Sequence, residues 1–97
     1  MQFIIYALDK PDGGAARARN RDAHRARLHD HDHPVKIISA GPLLEGDDPV
    51  GSVFLIEADG LEQVRAFIAA DPYVTNGVYE SVDVRPVKWT IGAAPGS

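Results

Sequence analysis

The chain contains no cysteine. That excludes a disulfide framework, a thiolate nucleophile and any cysteine-based metal site. It has no apolar run long enough to span a bilayer. Its opening, Met1 to Leu8, is too short for a secretory apolar core with flanks and carries no basic lead-in, so a cytoplasmic protein with no membrane partner is expected. The chain also lacks an excess of positive charge. With a formal net charge of −4 and no basic stripe, it is not built to hold nucleic acid. Nor is there a phosphate loop: Gly41-Pro42-Leu43 and Gly51-Ser52 are too sparse to fit either glycine-rich pattern and read as turns, and no organic cofactor is expected.

What is present describes a small globular unit. Ninety-seven residues allow one domain, expected over 1–91 with a flexible tail at 92–97. The 44% apolar and 25% charged fractions are ordinary for a folded chain. Phe3 to Leu8 is rich in strand formers and closes on the turn-forming Asp9-Lys10-Pro11-Asp12-Gly13-Gly14. From Ala15 to about His31 there is no glycine or proline, which predicts a helix that Pro34 stops. Val35–Ala40 predicts a second strand, ending at Gly41-Pro42-Leu43-Leu44. A turn-rich Glu45–Pro49 then leads to a third strand over Val50–Ala58. Leu61, Val64, Phe67 and Ile68 share one face of a second helix, which Asp71-Pro72 ends. A short irregular segment precedes a long fourth strand from Val78 to about Trp89.

The order βαββαβ is that of an α+β, ferredoxin-like fold: a four-stranded antiparallel sheet with two helices on one face. Ile4 and Ile5, Ile37 and Ile38, and Leu55 and Ile56 make strands that are apolar on both sides. Such strands need cover on both faces, and a second copy of so short a chain could supply what the helices do not. A homodimer is the expected partner state.

Two residues carry the candidate chemistry. His24 lies mid-helix, and Leu28 at i+4 shares its face, which turns the imidazole inward. A half-buried histidine can act as a base near neutrality, although a satisfied structural histidine fits the same pattern. Asp71 precedes Pro72, which suits a cap for a new helical turn at Tyr73 and equally suits a carboxylate that orients a histidine. The His29-Asp30-His31-Asp32-His33 tract has ligand-like spacing, but Pro34 makes it the fraying end of a helix, where histidines suit the negative dipole end; no metal is expected. Arg17, Arg19, Arg21, Arg25 and Arg27 read as alternating around the first helix, a solvated surface, with an anion-attracting rim as the alternative. Tyr6, Tyr73, Tyr79 and Trp89 read as core or interface.

Several short motifs fall in order along the chain: Tyr6-Ala7-Leu8-Asp9-Lys10-Pro11, Arg21-x-Ala23-His24-x-x-x-Leu28, Ala40-Gly41-Pro42-Leu43, Gly51-Ser52, Ala70-Asp71-Pro72-Tyr73 and Val84-Arg85-Pro86-x-Lys88-Trp89. Together they resemble the YCII-related domain family over Met1 to about Trp89. The resemblance implies a dimeric α+β barrel, with subunits paired sheet against sheet, and a site centred on a histidine and an aspartate, here His24 and Asp71. It implies a cofactor-independent lyase or isomerase moving a proton on a small cyclic or aromatic acid. The alternative is a non-catalytic ligand-binding or accessory module in which the pair is structural. The histidine tract departs from the family pattern, which is more usually apolar or acidic there.

Overall fold

The computed structural model describes residues 1–30 and 32–96. His31, part of the histidine tract, and Ser97, the end of the tail, lie outside the described residues. The elements are β1 (Gln2–Asp9), α1 (Gly14–His29), β2 (Lys36–Glu45), β3 (Asp48–Glu57), α2 (Leu61–Ala69), α3 (Pro72–Thr75) and β4 (Tyr79–Val87). The strands form one antiparallel sheet in the order β2-β3-β1-β4, the expected ferredoxin-like arrangement. The expected α+β barrel is corrected: the sheet is open, with β2 and β4 as its edges, and is not closed into a barrel. Four strands whose edges never meet cannot close by themselves.

Register decides which side chains reach the core. Phe3, Ile5 and Ala7 of β1 stand opposite Ile56, Phe54 and Ser52 of β3, so all six share the helix-facing side. Gly51 makes the β1–β3 approach possible, since a β-carbon there would lie 2.3 Å from the Ala7 carbonyl oxygen. The β2–β3 hairpin turns through Gly46 at φ +61°, so β2 runs on through the segment expected as a loop.

The helices are held in different ways. Helix α2 buries Val64, Phe67 and Ile68 as the periodicity predicts, and Gln63 Oε1 caps its start by accepting from the backbone of Asp59 and Gly60. Helix α1 has no such stripe; His24 is its one buried residue. Polar hooks hold it instead. Arg17 reaches Asp9 and Ser52, Arg27 Nη2 donates to the Phe67 carbonyl at 2.6 Å, and Asn20 accepts from Asn76 at 2.7 Å. His33 Nε2 donates to the Arg27 carbonyl at 2.8 Å, beside the Asp30 amide that donates to the same oxygen at 3.2 Å, and sets its ring edge-on to Phe67. The imidazole of His24 and the ring of Phe67 both contact Phe54, which places α1 and α2 on the same face of the sheet.

After β4 the chain turns back over the other face. Trp89 Nε1 donates to Gln2 Oε1, and Gln2 Nε2 donates to the Pro95 carbonyl. Among the described residues no helix is long and apolar enough to cross a membrane.

Candidate functional site

Because α1 is tethered to the short turn before β4 rather than seated on β2, an open cleft of about 1340 Å³ separates α1 from the β2 side of the sheet. His24, Arg17, Ser52 and Tyr73 are among the residues that line it.

The sequence brings His24 and Asp71 together across 47 positions, as the inward-facing histidine and the Asp-Pro boundary suggest. Nδ1 of His24 lies 2.8 Å from Asp71 Oδ1 and 3.0 Å from Oδ2. A carboxylate only accepts, so Nδ1 carries the hydrogen, and in a neutral ring that leaves the lone pair on Nε2. The histidine is 8% exposed and lines the cleft, and Nε2 has no protein partner among the described residues.

Asp71 is fully buried, and three groups fix it. It caps α3: Oδ1 accepts from the Tyr73 amide at 2.8 Å, with Pro72 in the first helical turn. Arg27 Nη1, a buried nitrogen without a hydrogen-bond partner among the described residues, stands 3.7 Å from Oδ2, while the same guanidinium donates through Nη2 to the Phe67 carbonyl and packs on the Phe67 ring. His24 is the third. Helix α3 closes with Gly77 at φ +73°, where the Gly77 and Val78 amides donate back to Val74 and Tyr73. That double bond fixes the peptide on which the Tyr73 ring stands.

The Tyr73 ring stacks on His24 with centroids 3.9 Å apart and planes 11° off parallel. The Arg17 guanidinium lies 4.7 Å from the same ring. Arg17 is itself clamped: Nε donates to Asp9 Oδ2 at 2.7 Å, and Nη2 to Asp9 Oδ1 at 3.1 Å and Ser52 Oγ at 2.8 Å. Burial opposes the Arg17 charge, but the hydrogen bond and attraction of Asp9 outweigh it and hold the group more firmly protonated than usual. Burial pushes both Tyr73 and Tyr79 above the ordinary phenol range, with Arg17 opposing in each case, so both stay neutral. The Tyr79 hydroxyl is buried without an aligned partner; Ser52 lies beside it.

The arginines read as alternating around α1 do not do so throughout. Arg17, Arg21 and Arg25, spaced i, i+4 and i+8, all line the cleft. That spacing was the available signal for a cationic wall. Arg17, Ser52, Tyr73 and Arg27 were not singled out by sequence as partners of the histidine; only Ser52 and Tyr73 stood within motifs. No group of three or more potential ligand side chains is gathered for a metal among the described residues.

Comparison with known proteins gives this chain relatives in sequence and in fold. Residues 1–88 match the YCII-related domain. Protein YciI of Escherichia coli is 40% identical over 95 residues, covering 91% of this chain and 97% of that protein. An uncharacterized protein of Haemophilus influenzae is 32% identical over the same span. Among solved structures, the 5-chloro-2-hydroxyhydroquinone dehydrochlorinase of Burkholderia phenoliruptrix, solved in complex with 2,5-dihydroxybenzoquinone, superposes with a TM-score of 0.81 at 31% identity, covering 91% of this chain and 94% of that one. A protein of Arabidopsis thaliana shares the fold alone, with a TM-score of 0.52 at 18% identity, covering 96% and 98%.

Proposed function

The chain belongs to the YCII-related domain family, and on that premise we propose that it is a small-molecule enzyme of lyase or isomerase type in which His24 transfers a proton in the cleft. One observation carries the reading. A fully buried carboxylate holds Nδ1–H of His24, and the opposite ring nitrogen has no partner among the described residues, on a side chain that lines the cleft. This is how a general base is prepared: the acceptor lone pair is directed, and the imidazolium formed on proton uptake is stabilised by its partner.

In the reaction, Nε2 takes a proton from a carbon or hydroxyl of a small cyclic or aromatic acid. In an elimination the electron pair left behind forms a new double bond and expels the leaving group. In an isomerisation the proton returns at another carbon. A relative whose name is dehydrochlorinase, bound to a dihydroxybenzoquinone, supports ring compounds as the substrate class. Asp71 holds the tautomer, and Tyr73 fixes the ring plane by stacking.

A second reading is favoured by one fact: Asp71 is already occupied as the cap of α3, so the pair also has a structural task. In that reading the cleft binds a ligand without turning it over. Incubation in deuterated water with chlorinated hydroxyhydroquinones separates the two. The enzyme reading expects halide release or ring-proton exchange that His24→Gln abolishes. Equal behaviour of native protein and His24→Gln contradicts it.

Self-association belongs to the same proposal. The sheet face away from the helices carries Ile4, Tyr6, Leu8, Val53 and Leu55, with Tyr6 46% exposed. A homodimer through this face would cover it.

A further inference from the structure

We propose that Arg17 and Ser52 form an oxyanion-binding end of the cleft, which holds a carboxylate or phenolate oxygen of a small organic anion while the reacting carbon lies at His24. This rests on the proton-transfer reading and adds to it a residue pair that proton transfer itself does not require.

The first support is an account of hydrogen-bonding capacity. A guanidinium has five N–H groups and no acceptor. Arg17 commits Nε to Asp9, and Nη2 to Asp9 and Ser52. Both hydrogens of Nη1 remain, without a partner among the described residues, on a side chain that lines the cleft. Ser52 Oγ accepts from Arg17, so its own hydrogen has two destinations: the Tyr79 oxygen beside it, and the cleft, which Ser52 also lines. The neutral Tyr79 hydroxyl can in turn donate to Ser52, which frees that hydrogen for a ligand. Arg17 Nη1 and the Ser52 hydroxyl thus keep donor hydrogens uncommitted on side chains that line the cleft. Asp9 fixes the guanidinium in place, so little side-chain order has to be created on binding.

The second support is spacing. Arg17 and His24 are seven residues apart on α1, about 10 Å along its axis. The imidazole covers one face of the Tyr73 ring, so the guanidinium packs on the other. A ring-sized molecule lying along the Tyr73 edge would then have the guanidinium at one end and the imidazole at the other. Arg21 and Arg25 stand on the same wall and form no ion pair among the described residues, so the α1 wall is positive, while Asp30, Glu57 and Asp59 line other parts of the cleft. Such an arrangement favours an anion with its charge at the Arg17 end and its ring towards His24.

The test is an NMR titration of nitrogen-15-labelled protein with benzoate and with benzamide, which keeps the ring and removes the charge. Benzoate is expected to give saturable shifts at the Ser52 amide and the Arg17 Nε–H, and to bind about tenfold or more tightly than benzamide. Ser52→Ala leaves the Arg17–Asp9 pair intact and should weaken benzoate about three- to tenfold; Arg17→Lys keeps a cation beside buried Asp9 but removes the guanidinium edge, and should weaken it at least tenfold. Equal binding of benzoate and benzamide, or unchanged benzoate binding in both Ser52→Ala and Arg17→Lys, overturns the proposal. Benzoate selectivity that survives alongside an absence of any His24-dependent turnover leaves the anion end standing and removes the enzyme reading, so the two failures are distinguishable.

Discussion

Replacing Asp71 by alanine removes three things at once, and the structure sets the size of the loss. The cap on the Tyr73 amide is worth about 1 kcal/mol. The His24 Nδ1–H, now buried without an acceptor, costs about 1–3 kcal/mol. Arg27 Nη1 loses its one ion-pair partner among the described residues. These groups share one carboxylate and do not add independently, so the expected total is about 3–5 kcal/mol, the range for breaking a buried ion pair. At about 4–8 °C per kcal/mol for a domain of this size, Asp71→Ala should melt at least 12 °C lower. Asp71→Asn is the informative companion. Asparagine caps a helix as well as aspartate does and can accept from the Tyr73 amide, so it should lose about half as much or less. Urea unfolding followed by circular dichroism, with the slope compared across the three proteins, reads both values. A midpoint shift for Asp71→Ala corresponding to less than about 1 kcal/mol would refute the reasoning, because it would mean that this buried carboxylate holds neither α3 nor α1 in place.

Other consequences follow from particular contacts. His33→Ala, which removes one of the two donors to the Arg27 carbonyl and the contact with Phe67, should cost about 1 kcal/mol, whereas exposed His29→Gln should leave the melting temperature unchanged. Gly51→Ala should yield little folded protein, since the new methyl meets the Ala7 carbonyl; native-like dispersion in its NMR spectrum would contradict the close β1–β3 approach. Tyr73 and Tyr79 have raised folded-state pKa values, so the neutral phenols contribute stability below about pH 10, the unfolded value, and that contribution is lost as pH rises through their folded values. Their phenolate absorbance should therefore appear together with alkaline unfolding, and reversible ionisation of both near pH 10 in a folded protein would be the contrary result. Sedimentation at micromolar concentration should show a dimer, and Tyr6→Glu with Leu8→Lys should yield monomer; a native protein that stays monomeric removes the self-association proposal.

The parts legible in the sequence are those that local pattern encodes. Double-sided apolar runs at Ile4-Ile5 and Leu55-Ile56 mark the two central strands, and the Leu61, Val64, Phe67, Ile68 spacing gives the buried face of α2. His24 could be found because Leu28 sits one turn on, and Asp71 because Pro72 removes it from the helix. The rest depends on long-range closure. Nothing near Arg17 announces that its partners are Asp9 and Ser52, the latter 35 residues away in sequence, and the Tyr73 ring enters the site only because Gly77 turns the chain there. The end of β2 was hidden because Gly41 and Pro42, which read as a stop, lie on an edge strand that tolerates them. The barrel closure implied by the family resemblance concerns how sheets meet, which no periodicity in one chain encodes, and the sheet is open.

The central claim is that Asp71 fixes the proton on Nδ1 of His24 and leaves Nε2 as the proton acceptor in the cleft. Long-range proton–nitrogen correlation of the His24 ring, recorded at a pH where the ring is neutral, measures this directly. The account predicts an Nδ1–H tautomer in the native protein. It predicts a shift towards Nε2–H in Asp71→Asn, whose amide can donate to Nδ1, accompanied by a loss of turnover on the order of 10⁴-fold, as when a triad carboxylate is changed to its amide. A native ring protonated at Nε2, or a tautomer that Asp71→Asn does not move, would contradict it.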